Sequence, residues 1–123
     1  MLLVDEDGRT IKIHRGDDGT LSYSVPISDT ENYQFEVGDK IELVVFEKKG
    51  YPKETIFSRE IIVTEATEIV DIPILKEDTE KLEKANKPIV CWYDIYLNGN
   101  LTNGYDEEEG AAEFRVLPAK GDD

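Results

Sequence analysis

The sequence predicts one small all-β domain, an antiparallel β-sandwich of about 7–8 strands with a single short helix near residues 79–85. Three observations carry this. Short runs rich in Val, Ile, Tyr and Thr alternate with period two. Glycine, proline and asparagine punctuate those runs at the spacing of a sandwich. Only one segment has both a helix start and a helix stop signal.

Residues 10–14 place Ile11 and Ile13 on one face and then meet Arg15-Gly16-Asp17-Asp18-Gly19, a strong turn signal. Leu21, Tyr23, Val25 and Ile27 alternate with Ser22, Ser24 and Pro26 to give a second strand. Pro26 brings no N–H to a ladder, so this strand lies at an edge or ends there. Residues 28–38 read as a polar connection with Phe35 and Val37 as anchors to the core. Residues 40–47 carry Ile41, Leu43 and Val45 on one face and Val44 and Phe46 on the other, the pattern of a central strand covered on both sides.

Lys48-Lys49-Gly50-Tyr51-Pro52 is a turn, and residues 55–64 and 68–75 are two further strands. Asp78 or Thr79 is placed to cap a helix, since a short side-chain oxygen reaches free backbone N–H groups. Glu80 suits the positive end of its dipole, Lys81, Lys84 and Lys87 the negative end, and Asn86 and Pro88 stop it. So short a helix needs Leu82 to dock it on the sheet. Residues 89–97 are the strongest strand: Ile89, Cys91, Tyr93, Ile95 and Leu97 face one way, Val90, Trp92, Asp94 and Tyr96 the other. Asn98-Gly99-Asn100 is a hairpin turn, and residues 111–117 close the fold with Phe114 and Val116 inward. The domain is expected over residues 9–117, with a lead-in at 1–8 and a tail at 118–123.

At 123 residues and 39% hydrophobic the chain can close one core, and folding should bury about two thirds of the unfolded surface. It has no apolar run of about 20 residues, so no membrane span is expected. The start, Met1-Leu2-Leu3-Val4-Asp5, lacks the basic and apolar regions of a signal peptide, so the protein is expected in the cytoplasm where it is made. With 28 acidic and 14 basic residues the net charge is −14, which repels phosphate backbones and anionic lipid and favours a basic partner. Neither nucleic acid nor membrane is expected as a partner. A single cysteine excludes an internal disulfide and a cysteine-based zinc set.

Nothing assembles into an active site, and no enzymatic activity, cofactor or metal is expected. His14 is the sole histidine, and Cys91 lies on the apolar face of a strand, where cysteine packs as an inert hydrophobe. Asp94 sits in an otherwise apolar strand and is expected to face solvent or bond a neighbouring loop. Asp5-Glu6-Asp7-Gly8 and residues 106–110 offer oxygen ligands, but neither has the spacing of a calcium loop. Arg15-Gly16-Asp17 spells an adhesion tripeptide, though its glycine and aspartate are what a tight turn needs.

Several segments, in order, resemble a known family. They are Arg15-Gly16-Asp17, then Phe35-Glu36-Val37-Gly38-Asp39-Lys40-Ile41, then Ile72-Pro73-Ile74 followed by Glu77-Asp78-Thr79 and Leu82, then Tyr93-Asp94-Ile95-Tyr96-Leu97, and last Phe114-Arg115-Val116. The layout, over roughly residues 9–117, resembles the N-terminal immunoglobulin-like domain of phage baseplate upper proteins and related small proteins of phages and prophages of Gram-positive bacteria. Gly38, Asp39, Asp78, Thr79, Leu82, Tyr93, Asp94 and Ile95 are the residues that match its structural motifs. Asn86-Lys87-Pro88 stands where that family usually has a glycine, and the chain ends at Asp123 without the stalk and receptor-binding parts of a full-length baseplate protein. The resemblance implies an immunoglobulin-like sandwich and a virion setting in a baseplate, tail or capsid accessory layer, with other virion proteins or further copies of the chain as partners. Trp92 and Tyr96, on the outer face of their strand, are either the candidate contact residues or part of a second buried face of the sandwich. The same i, i+4 pair also suits the aromatic platform of a carbohydrate-binding module, the alternative function.

Overall fold

Alternating side chains sort this chain into two sheets. The computed structural model describes residues 2–47, 54–82, 86–105 and 110–119. Among them are nine strands and one helix: β1 (Leu3–Val4), β2 (Ile11–His14), β3 (Gly19–Tyr23), β4 (Lys40–Phe46), β5 (Thr55–Ile62), β6 (Val70–Ile74), α1 (Lys76–Glu80), β7 (Ile89–Leu97), β8 (Asn100–Asn103) and β9 (Ala112–Leu117). Seven strands form one sheet in the order β1-β2-β9-β7-β4-β5, with β8 also paired to β7; β3 and β6 form the other. The two lie in a sandwich-like arrangement, so the chain is all-β as the periodicity predicts.

The core is the shared inner face. Ile11 and Ile13 of β2, Ile41, Leu43 and Val45 of β4, Cys91, Tyr93 and Ile95 of β7, and Phe114 and Val116 of β9 are buried against Leu21, Tyr23, Ile72 and Ile74 of the small sheet. Each occupies every second position of its strand, which is why one face closes completely. Phe57 meets Phe114 edge-on at 5.9 Å, and Phe35 packs between Tyr23 and Tyr33 at 5.6 and 5.3 Å.

The expected elements fall close to their sequence positions, with four instructive differences. The N-terminal lead-in is not outside the sheet: β1 pairs antiparallel with β2, Leu3 opposite Lys12 and Val4 opposite Ile11. One pairing is parallel, β2 with β9. A parallel pair needs a long crossover, and here nearly the whole chain lies between the two strands. Val37 does not anchor the loop; it is 70% exposed, while Phe35 is fully buried. Phe35 forms a bridge with Thr67, and Gly38, at φ +97°, turns the chain so that its N–H reaches the Val63 carbonyl, which breaks the alternation between 35 and 37.

The helix is the fourth difference. It begins at Lys76, not near 79, because Asp78 caps from inside the first turn: its carboxylate accepts the Leu75 N–H at 2.8 Å. The helix also ends at Glu80, so Lys81 and Leu82, expected inside it, lie in the turn that follows; residues 83–85, the turn at 48–52, the acidic run 106–109 and the tail beyond 119 lie outside the described residues. The strand expected through Val25 and Ile27 stops short of Pro26: β3 ends at Tyr23, Pro26 makes only an isolated bridge to Asn32, and Ile27 is exposed.

Candidate functional site

The motif residues are brought together in two groups. Around α1, Asp78 is buried and pairs with the Arg59 guanidinium from β5, whose Nε–H also donates to the Pro73 carbonyl at 3.1 Å. Thr79 is fully buried; its Oγ1 accepts the Gly16 N–H at 2.9 Å. Arg15 donates to the carbonyls of Glu80 and Leu82, both at 3.4 Å, and Leu82 is buried. The Arg15-Gly16-Asp17 turn is therefore spent on holding the helix.

In the second group, Asp39 accepts hydrogen bonds from the Tyr33 hydroxyl and the Glu36 N–H, both at 2.9 Å, and from the Asn98 side-chain amide at 3.1 Å. The Glu36 N–H, then the Asn98 amide, keep its carboxyl below the usual range. Asn98 in turn accepts the Lys40 N–H at 2.9 Å, so the loop before β4 and the β7–β8 turn are tied together. That turn has Asn98 at φ 50° and Gly99 at φ 85°, the two positive values a tight hairpin of this hand requires. Tyr93 donates its hydroxyl to the Arg9 carbonyl at 2.5 Å, and Ile95 lies in the core.

Asp94 corrects the solvent-facing expectation. It is 3% exposed, its Oδ2 accepts the Tyr96 hydroxyl at 3.1 Å, and its Oδ1 lies over Gly104. Trp92 and Tyr96 flank it on the outer face of the large sheet, both half-buried. Trp92 stands opposite Phe46 and Glu113, and Phe46 is itself only 2% exposed. The outer face is thus part covered, and the two aromatics do not form a bare platform.

Trp92 also lines a hollow of about 300 Å3 with Asp7, Arg9, Thr10 and Glu113. Asp7 accepts the N–H groups of Arg9 and Thr10, each at 2.8 Å, and the Thr10 hydroxyl at 2.7 Å. These donors, the Thr10 N–H first, lower its pKa to about 2, so it is a fixed anion and a poor proton donor. Arg9 points elsewhere, donating to the carbonyls of Gly104 and Gly110 at 2.7 and 2.8 Å, on either side of the segment 106–109. In the sequence Asp7 stands only as part of an acidic run and Arg9 carries no motif; an aspartate two residues before an arginine at a glycine turn is the signal that points to both.

The remaining candidates have structural roles. Cys91 is fully buried and burial pushes its thiol up to about 11. His14 Nδ1–H donates to the Pro118 carbonyl at 2.7 Å. Asp5 pairs with Lys12 at 3.1 Å. Among the described residues no three His, Cys, Asp or Glu side chains converge as a metal set, and no helix is long and apolar enough to cross a membrane. Comparison with protein families, with curated protein sequences and with solved structures gives no match.

Proposed function

We propose that this chain is a structural component of a bacteriophage or prophage particle, in a baseplate, tail or capsid accessory layer, and that it acts through protein–protein contacts without catalysis. The observation that carries this reading is the way the family-like residues work as one frame. Asp78, Thr79 and Leu82 fix the short helix, Asp39 fixes the loop before β4, and Tyr93, Asp94 and Ile95 fill or buttress β7. That coherence gives the resemblance a physical reason. A frame so braced leaves sheet edges and the half-buried aromatics Trp92 and Tyr96 for contact with neighbours.

Immunoblotting of gradient-purified particles from the induced source culture tests the reading. Co-sedimentation of the chain with particles is the expected result; confinement to the soluble fraction would overturn it. The carbohydrate-binding alternative is supported by the hollow that Trp92 lines together with Asp7 and Glu113. Quenching or blue-shift of the single tryptophan by oligosaccharides would favour it, and an unchanged spectrum across a glycan panel would eliminate it.

A further inference from the structure

The sandwich is latched along one side and open along the other. On the β5–β6 side, Arg59 crosses between the sheets to Pro73 and Asp78. On the opposite side the two-stranded sheet ends at β3, and a cleft of about 240 Å3 runs between that edge and the large sheet. Ser22, Tyr23 and Pro26 line it from one sheet, Val4, Tyr93 and Asn103 from the other. The Tyr23 hydroxyl and Thr102 Oγ1 are hydrogen-bonded across the sheets here.

The backbone at this edge is set for pairing. Thr20 lies opposite Pro73, which has no N–H. That position therefore suits a non-bonded pair, with Gly19, Leu21 and Tyr23 bonded to β6 and Thr20 and Ser22 turning their N–H and C=O groups outward. Leu2 packs on the inner face at the start of β3, so near Gly19 that a Cβ there would stand 2.7 Å from the Leu2 Cβ. The stretch from Thr20 to Ser24 has neither proline nor lysine, the usual guards of an edge. Apolar side chains flank it: Val4 is 46% exposed and Ile27 is 62% exposed.

The loops bordering the cleft carry exposed carboxylates at Glu6, Asp7, Asp29 and Glu31, and Asp71 stands exposed on β6 opposite Ser22. Arg9 lowers the charge cost at Asp7 while donating to Gly104 and Gly110, and Lys12 pairs with Asp5. We infer that the β3 edge accepts an extended, basic segment of a partner protein as a third strand of the small sheet, with an apolar side chain of that segment entering the cleft beside Val4 and Tyr93. The charge argues against a second copy of this chain, which is itself at −14. The inference rests on the proposed function only in taking the partner to be a protein.

The test is selection from a random-peptide library on the full chain, followed by titration and amide hydrogen exchange of the complexes. Enriched peptides should alternate apolar residues with Lys or Arg, slow exchange at the Thr20 and Ser22 amides, and weaken as salt rises. Ser22→Pro, which removes an outward N–H at a position where an edge tolerates proline, should weaken them by about tenfold, while Ser22→Ala should not. Exchange on the unaltered chain decides the matter should Ser22→Pro fold poorly. Absence of any enriched peptide, protection located on β5 instead, or equal binding by a folded Ser22→Pro would each overturn the inference. Particles that carry the chain while no peptide engages β3 would sink this inference alone; peptide binding at β3 with no chain in particles would sink the particle reading alone.

Discussion

Asp94 lies directly over Gly104, so that a methyl group on the glycine would occupy the space of the Asp94 Oδ1 atom and come within 3.0 Å of the Asp94 Cα and the Tyr93 carbonyl. The glycine also holds φ at +136°, where side chains are strained. This contact lets a carboxylate sit nearly buried in mid-strand with the Tyr96 hydroxyl on its other oxygen.

Gly104→Ala should therefore destabilise by about 2–4 kcal/mol, strain and a disturbed Asp94 adding together. Gly8→Ala is the control. It has φ +71° but nothing within 4 Å, so only the left-handed backbone cost of about 1–2 kcal/mol applies. Urea unfolding of the two variants compares them directly. Equal losses would show that the Asp94 contact contributes nothing.

The Arg59–Asp78 pair closes one side of the sandwich, with Asp78 side chain 8% exposed and Arg59 23%. Asp78→Ala strands the guanidinium and also orphans the Leu75 N–H, so a loss of about 2–4 kcal/mol is expected. Replacing both partners with leucine should recover part of that loss, since most of it comes from leaving one charge without its partner. A double variant no better than Asp78→Ala would refute this account.

The strands legible in the sequence are those whose side chains alternate over five or more positions: the alternation predicts a strand at residues 89–97, and β7 is Ile89–Leu97. What escaped is non-local or too short. β1 has two residues, and β8, Asn-Leu-Thr-Asn, buries no alternate side chain, so neither gives a period. The burial of Asp94 depends on a glycine ten positions later, and the Arg9 carbonyl that receives the Tyr93 hydroxyl comes from the far end of the chain. The helix starts earlier than the sequence predicts because Asp78 sits at the third helical position and reaches back to the N-cap N–H of Leu75, instead of standing at the cap itself. Trp92 and Tyr96 were correctly assigned to one face, but how far that face is covered is decided by Phe46 and other strands.

Asp7 makes stability acid-sensitive in a defined window. Its pKa falls from 3.8 to about 2 on folding, held first by the Thr10 and then by the Arg9 N–H. A depressed folded pKa gives stabilisation that is present above the unfolded value and disappears as pH falls through the folded one. Asp7→Asn should flatten the stability curve between those two values and leave its shape near neutrality alone. Denaturant midpoints taken across that range measure it, and an unchanged slope would remove Asp7 from the account.

Tyr93 predicts the opposite limb. Burial raises its phenol from 10.0 to about 12, and the hydroxyl donates to the Arg9 carbonyl only while protonated. For an acid whose folded pKa is raised, the contribution is complete below the unfolded value and is lost as pH rises through the folded one. Stability should therefore fall from pH 10.0 toward about 12. Tyr93→Phe should remove its share of that slope while costing about 1 kcal/mol at neutral pH for the lost hydrogen bond. Cys91, raised from 9.0 to about 11, steepens the same limb from a lower starting pH, so the comparison belongs in a Cys91→Ala background. A Tyr93→Phe variant with the same alkaline slope in that background would assign the loss to the other raised phenols, Tyr23, raised by desolvation, and Tyr33, raised first by its hydrogen bond to Asp39.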